Sequence, residues 1–155
     1  MALVRILVDG YSLLHSWPQL APGKPRHSAA AREELVAVLT HYHDACGTPI
    51  TIVFDGSGAQ RERGKPPSNP GVEIFYSLAG QTADQVIERV AYRLKEYGEV
   101  LAVTDDYAER DTVSSVGGMT SSCDNFIRTI ETALNEMHHQ IQRSNQTERT
   151  QFRTR

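Results

Sequence analysis

The chain has 155 residues, 39% of them hydrophobic and 23% charged, with a net charge of -3. This suits one domain with a single core, and it excludes a globally basic polynucleotide binder and a membrane-spanning chain, because no apolar run approaches the roughly 20 residues that cross a bilayer. Cys46 and Cys123 are too few and too far apart for a zinc motif and read as reduced thiols in helices. The N-terminus enters a strand pattern directly, without the long apolar stretch and small-residue cleavage site of a signal peptide, so a cytoplasmic location is expected.

In chain order, Val4 to Val8 is an apolar run expected to be a buried strand. The turn Asp9-Gly10-Tyr11-Ser12 follows, then helical character from Leu13 to Trp17 and a Pro- and Gly-containing loop over residues 18–27. Ser28 is placed to cap a helix whose apolar stripe is Ala31, Leu35, Val38, Leu39 and Tyr42, stopped by Gly47. Ile50 to Phe54 reads as the second strand, residues 60–71 as a polar loop, and Val72 to Tyr76 as a third strand. Thr82 caps a helix with Val86, Ile87, Val90, Ala91 and Leu94 on one side and Gly98 at its end. Val100 to Thr104 is a fourth strand, Asp106 to Asp111 a short helical turn, and Thr112 to Val116 a short fifth strand. Ser121 or Ser122 then caps a last helix with Phe126, Ile127, Ile130 and Leu134 inward. Residues 1–138 are expected to form the domain. Residues 139–155 are polar and are expected as a mobile tail or an extension of the last helix.

Alternation of this kind predicts an α/β fold with a mainly parallel sheet and helices on both faces, and leaves the strand order open. Ligands collect at the carboxyl ends of such strands. Here the strand-like runs end in acids: Val8 runs into Asp9, Phe54 into Asp55, and Thr104 into Asp105 and Asp106, while Asp84 opens the helix after the third run. Carboxylates converging there would make a hard-oxygen site for Mg²⁺ or Mn²⁺. Each acid also has a plain structural use. Asp-Gly is a common turn, and an acid in a first helical turn favours the helix N-terminus. Asp84 and Glu88, four residues apart, share one helix face.

Other site types lack their residues. Neither a phosphate-binding Gly-x-x-x-x-Gly-Lys-Ser/Thr loop nor a Gly-x-Gly-x-x-Gly dinucleotide fingerprint is present, and Tyr11 stands where an aspartyl-phosphate phosphatase would carry its second acid. The six histidines show no zinc-ligand spacing. Arg61, Arg63 and Lys65 form a small basic cluster suited to phosphate contacts, though such clusters are often only solvated surface. His15, Trp17 and Tyr107 are candidates for stacking on bases.

Four segments together resemble one family. They are Val8-Asp9-Gly10-Tyr11-Ser12-Leu13-Leu14-His15, Val53-Phe54-Asp55-Gly56, Thr82-Ala83-Asp84-Gln85-Val86-Ile87-Glu88, and Val103-Thr104-Asp105-Asp106. In order and spacing they are similar to the NYN-domain family, in its YacP-like bacterial branch, relatives of the PIN-domain nucleases. The resemblance runs from about Leu3 to Asn135. It implies a PIN-like three-layer α/β/α sandwich and a metal-dependent endoribonuclease using Mg²⁺ or Mn²⁺. By the same resemblance, Asp9, Asp84 and Asp106 are the catalytic and metal-binding acids, with Ser12, Asp55, Glu88, Thr104 and Asp105 in support. Arg61, Arg63, Lys65 and His15 become candidate RNA contacts. For at least one YacP-like branch the activity is cleavage of mRNA in a translating ribosome, so RNA, and the ribosome with it, are the implied partners. The chain departs from the family where Asp-Gly-Tyr-Asn is usual, carrying Ser12 for Asn, and where Gln is frequent, carrying Arg110. An RNA- or ribosome-binding module with weak chemistry and a hydrolase of small phosphorylated metabolites are the competing readings of the same residues.

Overall fold

The structure, a computed structural model, describes residues 3–56 and 70–153, with the side chains of the last helix through Thr147. The described elements run β1 (Leu3–Asp9), α1 (Gly10–His15), α2 (Ala29–Cys46), β2 (Ile50–Phe54), β3 (Val72–Tyr76), α3 (Ala83–Leu94), β4 (Glu99–Val103), α4 (Tyr107–Ser115), β5 (Met119–Ser121) and α5 (Cys123–Arg153). The five strands form one sheet in the order β3-β2-β1-β4-β5, and every neighbouring pair is parallel. The chain starts in the middle of the sheet, winds outward to β3, then returns to β4 and β5 on the other side of β1. The order therefore reverses between β1 and β4, which puts the crevice of an open α/β sheet at their carboxyl ends.

Strand alternation divides the core. Ile6 and Val8 of β1 and Ile50, Ile52 and Phe54 of β2 face one way, packing with Leu13, Leu14, Leu35, Leu39, Phe126 and Ile130 of α1, α2 and α5. Leu7, Val53, Val100 and Ala102 face the other way, against Val86, Ile87 and Ala91 of α3 and Val113 of α4. The expected three-layer α/β/α architecture is the one observed. No described helix is long and apolar enough to cross a membrane.

Caps set most of the helix boundaries. The Ser28 side chain accepts from the Ala31 N–H to start α2, and Gly47, at φ 77°, takes the left-handed conformation that ends it. Thr82 and Gln85 form a reciprocal capping box at the start of α3. Ser122 Oγ accepts from the Asn125 N–H at 3.1 Å as α5 begins. Cys46 ends α2 exposed and Cys123 opens α5 buried, both as free thiols.

Three expectations shift, and the last helix takes one of the two forms expected of the tail. The first helix starts at Gly10, capped by Asp9, and ends at His15, leaving Trp17 in the following turn but buried in the core at 6% exposure. Helix α3 ends at Leu94 with Lys95 as its cap, and Gly98 (φ 145°) lies in the turn beyond it. Residues 112–116 are not a strand. Residues 112–115 continue α4 and Val116 is its cap, because Glu109 and Val113, four apart, bury the same helix face, and the fifth strand follows only after the Gly117-Gly118 turn. The last helix carries on to Arg153, so the polar segment extends it.

The short helix α1 is anchored by Leu13 and Leu14, both fully buried. Each contributes about 1.5–3 kcal/mol, enough to draw the adjoining Asp9 towards the interior. The helix also lies close against β2, since a Cβ at Gly10 would come 2.3 Å from the Phe54 ring. That ring is fully buried and flanked by Tyr11 at 5.0 Å and Tyr76 at 5.7 Å, so it has little room to yield. Gly10→Ala should therefore lower the unfolding free energy in urea by about 1–3 kcal/mol. An unchanged denaturation midpoint would mean that α1 can shift off Phe54.

Candidate metal centre

Three carboxyl groups meet near the carboxyl end of β1. One oxygen each from Asp9, Asp84 and Glu109 lies within 4.8 Å of the other two. Asp9 is the last residue of β1 and the N-cap of α1, where its carboxylate accepts from the Ser12 N–H at 3.3 Å. Asp84 sits in the first turn of α3, between the two partners of the Thr82–Gln85 capping box, so that box sets its position. Glu109 comes from the first turn of α4, whose start is fixed in turn by Asp106.

Burial makes the cluster electrostatically costly. Asp9 is 9% exposed and Glu109 2% exposed. Among the described residues, neither Glu109 carboxylate oxygen has a hydrogen-bond partner in good geometry. Burial pushes the Glu109 carboxyl up to about 9; the Asp84 carboxylate beside it and the Asp9 charge add to the rise, while the Thr104 hydroxyl opposes it. Asp9 is also raised, mainly by burial, with its Ser12 hydrogen bonds pulling the other way and Asp84 adding to the rise. Crowded, poorly solvated carboxyl oxygens with unused lone pairs are what a hard divalent cation takes as ligands. The donor set is all oxygen, which suits Mg²⁺ or Mn²⁺ better than a thiolate- or imidazole-seeking ion. Cys123 nearby is buried, and burial, with Asp105 and Asp9, pushes its thiol up to about 12. It is neutral at physiological pH and a poor nucleophile.

The structure brings two of the three expected acids together, and the third acid of this group is Glu109. Asp9 and Asp84 lie in the cluster. Asp106 is exposed, and its Oδ1 caps α4, accepting from the Ala108 N–H at 2.9 Å and the Glu109 N–H at 3.4 Å. The position next to Asp9 and Asp84 belongs to Glu109, which the strand-end pattern misses because it lies within a helix. Its helical spacing from Val113 was the available signal.

The supporting residues divide. Thr104 is fully buried at the end of β4, with its hydroxyl accepting from the Asp106 N–H at 3.2 Å. Asp105 Oδ1 accepts from the Cys123 N–H at 2.8 Å and its Oδ2 from the Ser16 hydroxyl at 2.9 Å, tying the end of β4 to the start of α5 and the end of α1. Asp55, half-buried after β2, and Glu88, half-buried one turn after Asp84, stand outside the three-carboxylate group. Ser12 supports Asp9 through both its backbone N–H and its side chain. His15 is exposed, with Nε2 3.4 Å from Nε2 of His27. Arg61, Arg63 and Lys65 lie outside the described residues.

The raised Glu109 group fixes the sign of a pH effect. Between an unfolded value near 4.5 and a folded value of about 9, the native state holds a proton that the unfolded chain has released. In chelator, stability should therefore fall as pH rises through that window. Glu109→Gln should flatten the fall and, at pH 8, leave the metal-free protein more stable than wild type by on the order of 1–3 kcal/mol. Urea denaturation at several pH values in EDTA measures both. Parallel curves for the two proteins would assign the slope to other groups.

Comparison with known proteins places this architecture in a family. Residues 6–155 match the YacP-like NYN domain. The chain is 28% identical over 141 residues to YacP of Bacillus subtilis (strain 168), covering 89% of this chain and 81% of that protein. It superposes on the crystal structure of Rae1 (YacP) from Bacillus subtilis with a TM-score of 0.76 at 25% identity, covering 97% of this chain and 85% of the other. A point mutant of Rae1 (YacP) gives a TM-score of 0.78 at 26% identity, with 93% and 85% covered. The chain belongs to the YacP-like NYN domain family, which is related to the PIN-like nucleases and carries with it the implication of ribonuclease-type chemistry.

Proposed function

We propose that the protein is a metal-dependent endoribonuclease whose divalent ion is held by Asp9, Asp84 and Glu109. The observation that carries this reading is Glu109: a buried carboxyl with no hydrogen-bond partner in good geometry at either oxygen among the described residues, turned towards two further carboxyl groups. Such an arrangement gains nothing for folding, and a bound cation removes its electrostatic cost. A Mg²⁺ or Mn²⁺ ion there supplies Lewis acidity towards a phosphodiester and its attacking water.

The protein's own residues hold the geometry. The Ser12 N–H orients Asp9. The capping box sets Asp84, and the Asp106 cap, itself joined to the Thr104 hydroxyl, sets the turn that carries Glu109. Asp106 acts as a positioning residue in this scheme. Family membership supports RNA as the substrate. Tyr107, 76% exposed beside Asp106 with the Arg110 guanidinium 4.6 Å from its ring centroid, offers a platform on which a base could stack. Trp17 is buried and does not serve that purpose. Messenger RNA on the ribosome is the proposed setting, and the cytoplasm the proposed location.

Cleavage of RNA, free and on stalled ribosomes, tests the reading. Wild type should cut with Mn²⁺ or Mg²⁺ and stop in EDTA. Asp9→Asn, Asp84→Asn and Glu109→Gln should each lower the rate by at least about 100-fold, as expected when a charged ligand group is lost. Asp106→Ala should lose about 1 kcal/mol of stability as a helix cap, with a smaller effect on the rate. Should Asp106→Ala abolish cleavage while Glu109→Gln keeps it, the ligand set is Asp9, Asp84 and Asp106. RNA binding without cleavage under every condition would leave a binding module of the same fold.

A further inference from the structure

We propose that His15 and His27 form a second cation site, a two-imidazole clasp for a borderline transition ion such as Zn²⁺, distinct from the carboxylate cluster. His15 is the last residue of α1, and His27 lies just before the Ser28 cap of α2. Twelve residues apart in sequence, they meet through their Nε2 atoms at 3.4 Å. That separation is at the long end for a hydrogen bond between two ring nitrogens. It does match a tetrahedral ion, because two imidazole nitrogens each about 2.05 Å from Zn²⁺ lie about 3.3 Å apart. Imidazole suits zinc, copper and nickel, and an ion of the Mg²⁺ type prefers oxygen.

The two rings meet edge-on, with centroids 5.4 Å apart and planes inclined by 62°, and are held from behind. Arg26, next to His27, donates to the carbonyls of Leu14, Trp17, Ala21 and Lys24 at 2.6–3.2 Å, closing the loop back onto the end of α1. The buried Arg32 donates to the His27 carbonyl at 2.7 Å and to the Tyr11 hydroxyl at 3.3 Å. The Tyr11 ring packs on the His27 ring with centroids 4.2 Å apart. Both imidazoles are exposed, so the remaining coordination positions open to water. Much of the ordering that a two-ligand site would need is thus already in place before the ion arrives. Occupancy would fasten the loop over residues 16–27 to the helix that begins at Asp9. This proposal stands independently of the nuclease reading.

Zinc titration of the full chain, stripped with EDTA and exchanged into chelator-free buffer, tests it by NMR of the histidine ring signals. Zinc should move the His15 and His27 rings together, while Mg²⁺ in excess should move neither. His15→Ala and His27→Gln should each weaken this response at least about tenfold, the scale on which altered ligand shells change affinity. Asp84→Asn should leave it intact, which separates the clasp from the carboxylate cluster. The proposal is overturned if zinc moves only other histidines, or if His27→Gln binds as tightly as wild type. Ring signals that stay unmoved at millimolar zinc would equally overturn it and leave a plain contact between imidazoles.

Discussion

Mutual repulsion among three carboxyl groups is the constraint around which the strand-end side of this molecule is arranged. Asp9, Asp84 and Glu109 come from three different elements, and with all three ionised nothing among their own contacts would draw them together. Apolar packing does so instead. Leu7 of β1, Val86 and Ile87 of α3 and Val113 of α4 share one core and are nearly or fully buried. Each such side chain contributes a few kcal/mol, about the size of the penalty for crowding poorly solvated acids. With net stabilities of only about 5–15 kcal/mol, a domain keeps such a conflict where something outside the chain relieves it.

Much of this was legible in the sequence, and for a local reason. The strands announce themselves as runs of Val, Ile and Leu, and β2 and β3 fall on Ile50–Phe54 and Val72–Tyr76 as the pattern predicts. The caps Ser28 and Thr82 act over three residues and were equally readable. Strand order was not, because which strand lies beside β1 depends on long-range packing. Glu109 was hidden for a related reason. At the end of a strand, capping and metal binding call for the same residue type, and a one-dimensional pattern does not tell them apart. Asp105 and Asp106 both follow β4, and the carboxylates of both are occupied with backbone N–H groups. The burial that distinguishes Glu109 exists only once α4 is laid against α3.

The acids at the strand ends therefore share chemistry but not employment. Asp9 is buried and oriented by Ser12, Asp106 caps a helix, and Asp55 stays half-buried at the neighbouring strand. The departure from the usual family motif at Ser12 is softened by geometry. Part of its support for Asp9 comes from a backbone N–H, which any residue but proline would supply.

Asp105 gives the molecule a mechanical property. Its two oxygens join the end of β4 to the Ser16 hydroxyl and to the first N–H of α5. That helix has 31 residues, so it is about 46 Å long, and most of its second half is exposed. Phe126, Ile127 and Ile130 clamp its first turns in the core, so a load on the exposed part is borne by that packed stretch, and Asp105 pins the end of the helix behind it.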